Sequence, residues 1–288
     1  DRSRFVAVVG ASGSGKSSLV SAGLIPTLKA NGIIGSRDWL YARFTPGTGN
    51  NPFEALVASL MAVLPALGVD DPFEHAEKVE QRAQRLLDKP DHLAGILNHA
   101  LKDAPDHVLV MVFIDQFEEL FTLANADYVK PFAAMLAGAK DCDRLRIVVT
   151  MRHDFYHKAI EVPDLAELLR ADAVFSLSIP RRDALREMIE RPAERAGLEM
   201  DAELTYKILD DVGNEAGNLA LMAYALDELY HSVDDDKRLT VKAYNALGGV
   251  EGAIGERAES TYDKLKLDGK EQILQQVFRE LVAVDERG

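Results

Sequence analysis

The chain has 288 residues, enough for about two domains. Hydrophobic residues make up 47% and charged residues 28%, which excludes a disordered or collagen-like chain. Its 33 Lys/Arg stand against 47 Asp/Glu, a formal charge of −14, and its one cysteine, Cys142, excludes a disulfide framework or a cysteine-rich zinc site.

The longest apolar run, Val108 to Ile114, is too short to cross a membrane, and no signal segment opens the chain. No membrane partner and a cytoplasmic location are therefore expected. The chain opens on Asp1 and enters an apolar run at Phe5, as a segment of a longer protein would. The charge is uneven: residues 1–60 carry six Lys/Arg and three Asp/Glu, so the acidic excess lies later. Such a chain is a poor candidate for nonspecific nucleic-acid binding, while its first fifth suits one small anion.

In chain order, Phe5–Val9, ended by Gly10, reads as a buried strand. Lys16–Ala30 has helical spacing, with Pro26 expected to kink its last turn. Trp39–Phe44 is a second strand, followed by the turn Thr45-Pro46-Gly47. Helices are expected at about 51–64, 74–88, 91–102 and 127–138. The remaining strands are Val108–Ile114, Leu145–Thr150 and Ala173–Ile179. Strands alternating with helices over residues 1–179 indicate an α/β domain with a mainly parallel sheet. After Pro180 no strand stands out. Helices are expected at Arg181–Ala196, Asp201–Val212, Leu219–Ser232, Thr240–Leu247, Ile254–Leu265 and Gly269–Val284.

Gly10-Ala11-Ser12-Gly13-Ser14-Gly15-Lys16-Ser17 fits G-x-x-x-x-G-K-[ST] without a gap. Its glycines let backbone N–H groups converge on phosphate oxygens, and the following helix adds its positive end. Gly10, Ser12, Gly13, Ser14, Gly15, Lys16, Ser17 and Ser18 are thus the expected nucleotide-binding residues. Lys16 would reach the β- and γ-phosphates, and the Ser17 hydroxyl would ligate Mg²⁺. Asp115, directly after the most apolar strand, is the second expected Mg²⁺ residue, at the end of a strand neighbouring that of the phosphate loop.

Hydrolysis also needs a group that orients or deprotonates water. Gln116 follows Asp115 and could hold a water without taking its proton. Glu118 is the preferred base and Glu119 the next, unless both are surface acids at a helix start. Thr150 and Arg152, at the end of Leu145–Thr150, would lie near the γ-phosphate, where Arg152 could distinguish ATP from ADP. His153 and His157 are four apart and could share a helix face, but no carboxylate-rich zinc signature surrounds them.

Three strings, Val8 to Leu19, Asp115-Gln116-Phe117-Glu118-Glu119-Leu120-Phe121-Thr122 and Thr150-Met151-Arg152-His153-Asp154-Phe155, together resemble the novel STAND NTPases, signal-transduction ATPases with numerous domains. Thr45-Pro46-Gly47 with Pro52, Leu185–Ala193, and Gly248–Ala253 with Tyr262 look similar too. The resemblance implies a P-loop ATPase core (1–179), an all-helical lid (180–247) and the beginning of a winged-helix region (248–288). It further implies an ATP/ADP switch with Mg²⁺, a homo-oligomer when ATP is bound, and effector and sensor domains outside this segment. The family's lid usually reads Gly-x-Leu-Pro-Leu-Leu; here Gly217-Asn218-Leu219-Ala220-Leu221-Met222 puts Ala220 at the proline near the adenine. A slowly hydrolysing switch is the leading function. A P-loop phosphotransferase, a continuously cycling motor and a nucleotide-binding scaffold without hydrolysis are the alternatives.

Overall fold

The computed structural model describes residues 4–170, 172–213, 217–233, 237–267 and 269–281. The chain forms two compact units, Asp1–Ser178 and Ile179–Gly288. In the first, β1 (Phe5–Gly10), β2 (Leu40–Phe44), β3 (Val110–Ile114), β4 (Leu145–Arg152) and β5 (Val174–Leu177) form one sheet in the order β2-β3-β4-β1-β5. Every pairing is parallel. Parallel strands are covered on both faces, which is why β3 is an unbroken apolar run with all five residues buried.

Strand alternation splits that run between two cores. Val110, Val112 and Ile114 join a large core with α3 (Pro52–Val63), α4 (Pro72–Asp88), α5 (His92–Ala100) and α6 (Val129–Gly138). Met111 and Phe113 face the other way, into a smaller core with Val8, Val20, Leu28 and Val148. Val20 and Leu28 come from the helical stretch after the phosphate loop: α1 (Lys16–Ser18), a π-helical turn (Leu19–Leu24) and α2 (Ile25–Lys29). Pro26 has no N–H to donate, and the stretch widens just before it, with the Ile25 N–H bonding Val20 O. The single helix expected at Lys16–Ala30 is therefore interrupted by a wide turn rather than only kinked.

Between β4 and β5 run α7 (Tyr156–Ile160) and α8 (Pro163–Leu168), for which the sequence gives no clear helical period. The second unit is built from α9 (Arg182–Arg195), α10 (Leu204–Val212), α11 (Asn218–His231), α12 (Val241–Ala246), α13 (Gly249–Leu267) and α14 (Glu271–Leu281). Its core joins Leu185, Ile189, Ile208, Leu229 and Tyr244 to Val250 at the start of α13. Among the described residues the unit is helical except for β6 (Glu199–Met200) and β7 (Arg238–Leu239), a two-residue parallel pair that the sequence does not announce. The C-terminal end of the last expected helix, Gly269–Val284, lies outside the described residues. Among the described residues no helix is long and apolar enough to cross a membrane.

Candidate functional site

The carboxyl ends of β1, β3 and β4 bring together Gly10, Asp115 and Arg152, the edge of an open α/β sheet where ligands are held. Gly13 and Gly15 take φ of 73° and 85°, left-handed values that side-chain-bearing residues rarely adopt. Gly10 is required for space: a Cβ there would sit 2.8 Å from Leu177 O and 2.9 Å from Ser14 Oγ. The loop therefore folds back on itself, and the Leu19 N–H to Gly15 O bond (2.8 Å) opens the helical stretch behind it.

Lys16 is buried, and its ammonium donates to Gly10 O (3.1 Å) and Ala11 O (2.6 Å). Burial lowers its pKa below 10.5, against the raising effect of the Glu118 carboxylate. The Ser14 hydroxyl is buried in the loop with no hydrogen-bond partner in the protein. Ser12 and Ser18 are exposed. Convergent loop backbone, a lysine at its mouth and an orphaned buried hydroxyl fit a phosphate-bearing ligand.

Asp115 is 4% exposed and is the organising residue of the site. Its Oδ1 accepts from Ser17 Oγ (2.6 Å), Thr150 Oγ1 (2.6 Å) and the Gln116 N–H (3.2 Å). Its Oδ2 accepts from the Arg43 guanidinium at 2.7 Å. Burial opposes its ionisation, but the hydrogen bonds from Ser17, Thr150 and Arg43 outweigh that, and its pKa lies below 3.8. A hydroxyl 2.6 Å from an ionised carboxylate is a donor set suited to a hard divalent cation such as Mg²⁺.

The strand order corrects one expectation. β3 is not beside β1, because β4 lies between them. Asp115 thus meets Ser17 directly from one strand further away, and Thr150 of β4 donates to the same Oδ1. Thr150 itself is expected at the nucleotide, but it is 1% exposed. Its hydroxyl donates to Asp115 and accepts from the Gln116 N–H at 3.0 Å. It stands against the Asp115 carboxylate. Gln116 pays for this tight turn with φ 50°, a left-handed conformation uncommon for a side-chain-bearing residue.

The two candidate bases diverge. Glu119 Oε2 accepts from the Gly47 N–H at 3.1 Å, which ties it to the turn after β2. Glu118 Oε2 accepts from the Arg152 N–H at 3.2 Å and acts electrostatically on Lys16, so it faces the phosphate loop. Phe117 and Leu120, buried in the 3-10 turn Phe117–Phe121, fix the two acids on different sides. Arg152 pairs in register with Gly10. Its guanidinium binds Asp154 through two contacts, Nε to Oδ1 at 3.0 Å and NH2 to Oδ2 at 2.5 Å. The Asp154 hydrogen bond raises the Arg152 pKa.

His153 lies in a 3-10 turn and His157 in α7, and among the described residues no three His, Cys, Asp or Glu side chains gather as a metal site. Sequence reasoning missed two participants. Arg43 was signalled only as a lone charge in the apolar strand Trp39–Phe44, and Asp154 only as an acid two residues after Arg152. In the second unit Ala220 lies in α11, where its N–H donates to Gly217 O at 3.3 Å, a bond proline could not make.

The parallel sheet and the phosphate loop define the class as a P-loop NTPase. Structures with a similar fold include a Cdc6 protein of Pyrobaculum aerophilum (TM-score 0.55, 13% identity, 82% of this chain and 57% of that one). Others are the ORC1 protein of Aeropyrum pernix in complex with DNA (0.53, 15%, 92% and 62%) and a Walker-type ATPase of Pyrococcus abyssi (0.50, 13%, 96% and 73%). The chain thus spans less than two thirds of the Cdc6 and ORC1 chains. No curated protein matches significantly. The sequence pattern of the family Novel STAND NTPase 1 matches residues 1–288, and the chain belongs to that family.

Proposed function

We propose that this chain is the ATP-binding, slowly hydrolysing switch of a larger cytoplasmic signalling or defence protein. Its nucleotide state would control conformation and homo-oligomerisation, and the effector and sensor domains would lie outside the segment. The observation that supports this is the 2.6 Å hydrogen bond between Ser17 and Asp115, which joins a hydroxyl and a carboxylate from distant parts of the chain where they would hold Mg²⁺ beside the phosphates. The backbone of Gly10 to Ser18 would cradle the phosphates, with the Ser14 hydroxyl turned to them and Lys16 exchanging loop carbonyls for phosphate oxygens. Ser17 and Asp115 would hold Mg²⁺, whose bound charge offsets that of the phosphates. Thr150 and Arg43 would orient Asp115, a change from the nucleotide contact expected of Thr150.

Glu118 is the general base of this reading. It is only partly buried, and its Oε2 accepts from the Arg152 N–H beside the phosphate loop. Glu119, held at Gly47, would position the turn after β2. The segment after Gly248 would begin a winged-helix region, and residues 180–247 would form the helical lid.

The DNA complex of the ORC1 relative is not carried over, because the chain's net charge of −14 opposes polyanion binding. The test is equilibrium binding of ATP and ADP with and without Mg²⁺. Lys16→Ala should abolish both, and Glu118→Gln should keep binding while turnover falls at least tenfold. Nucleotide retained by Lys16→Ala would refute the site. Turnover above about 1 s⁻¹, within ordinary enzyme rates, would favour a motor or phosphotransferase over a switch.

A further inference from the structure

We propose that Asp154 sets the discrimination between nucleoside triphosphate and diphosphate by occupying the Arg152 guanidinium in place of the terminal phosphate. This rests on Arg152 being the residue that meets that phosphate. The Nε–Nη edge of a guanidinium accepts one planar, two-oxygen partner at a time, and carboxylate and phosphate compete for that edge. Asp154 fills that edge, with Nε to Oδ1 at 3.0 Å and NH2 to Oδ2 at 2.5 Å.

The rest of Arg152 is held in place, so only the guanidinium can exchange partners. Its N–H is tied to Glu118 Oε2 at 3.2 Å, its strand position pairs with Gly10 of the phosphate loop, and its guanidinium lies 5.5 Å from the Phe155 ring centroid. Both charges act on the Lys16 ammonium, which places the pair beside the phosphate loop and not on a remote surface. The side chains are 41% and 42% exposed, so the pair opens at small cost.

The γ-phosphate of a triphosphate can displace Asp154 from Arg152, whereas a diphosphate has no γ-phosphate to do so. The carboxylate therefore weakens triphosphate binding selectively, because a ligand shifts such an equilibrium only by the contacts it makes in one state. Removing the carboxylate removes the competitor.

The experiment measures dissociation constants of Mg·ATP and Mg·ADP by displacement of a fluorescent nucleotide. The proteins are the wild-type chain, Asp154→Asn, Asp154→Ser, Arg152→Ala and Asp154→Asn/Arg152→Ala. Both Asp154 variants should bind ATP about fivefold more tightly, the scale of an exposed ion pair, with ADP changed less than twofold. The gain should vanish in the double variant. Equal tightening of ATP and ADP would mean that only local negative charge was removed, and would overturn the proposal. So would unchanged ATP affinity in a background where Arg152→Ala lowers the ATP/ADP ratio, which would leave the role of Arg152 standing. An unchanged ratio in Arg152→Ala would instead refute that role, and the proposal with it.

Discussion

Thr150→Val tests whether Asp115 is held as the site requires. The substitution keeps the branched shape of a side chain that is 1% exposed and exchanges its hydroxyl for a methyl. Two hydrogen bonds disappear, one to the ionised Asp115 Oδ1 (2.6 Å) and one from the Gln116 N–H (3.0 Å). A bond to a charged group contributes about 1.5–3 kcal/mol and a neutral one about 0.5–1.5 kcal/mol. The Gln116 N–H keeps its longer contact with Asp115 Oδ1 at 3.2 Å, which softens the second loss. The added methyl returns about 0.8 kcal/mol by burial. The net loss expected is about 2 kcal/mol, a fall in melting temperature of roughly 4–8 °C for a unit of this size.

Trp39, the single tryptophan, packs against the smaller core of the first unit, so its fluorescence follows that unit without nucleotide. The loss should be smaller in an Asp115→Asn background, since residues sharing one network are not additive. The Asp115 pKa is depressed below 3.8, so its contribution is complete above that value and lost as pH falls through the depressed one. The Thr150→Val deficit should accordingly be constant at neutral pH and shrink only in strong acid. A shift under about 1 °C at pH 7 would show that the carboxylate does not depend on Thr150, and the positioning argument would fail.

Three other substitutions probe different layers of the molecule. Gly10→Ala brings a Cβ to 2.8 Å from Leu177 O and 2.9 Å from Ser14 Oγ, so it should cost about 1–3 kcal/mol in thermal unfolding and distort the loop; wild-type stability would refute the close packing. Arg43→Met keeps a stem over Phe113 and loses the contact to Asp115 Oδ2; the guanidinium side chain is 53% exposed, so about 1 kcal/mol or less should go, and a loss as large as that of Thr150→Val would mean a desolvated pair. Tyr244→Phe removes the 2.8 Å bond to Asp211 Oδ2 in the second core and should cost about 1–3 kcal/mol. Burial and then Asp211 raise the Tyr244 pKa above 10.0, so its contribution is intact below pH 10 and is lost as pH rises beyond; alkaline unfolding followed by circular dichroism should lose that part of its pH dependence in Tyr244→Phe.

How much of this was legible beforehand depends on where the signal resides. The phosphate loop lies in one contiguous stretch, and an unbroken apolar run such as Val110–Ile114 is readable as a buried strand with Asp115 at its end. Periodicity needs length, so α7 and α8, of five and six residues, and the two-residue strands β6 and β7 escaped it. Strand neighbours are not encoded by periodicity at all. The insertion of β4 between β1 and β3 is what sets Thr150 beside Asp115, to which its hydroxyl donates. The same reason explains Arg43. Asp115 draws its donors from Ser17, Arg43, Gln116 and Thr150, and Arg43 alone of these lies outside the strings that carry the family resemblance. A local pattern can name the anion loop because its backbone makes the site alone. It cannot name the groups that hold a carboxylate in line, because their relation to it exists only once the sheet has formed.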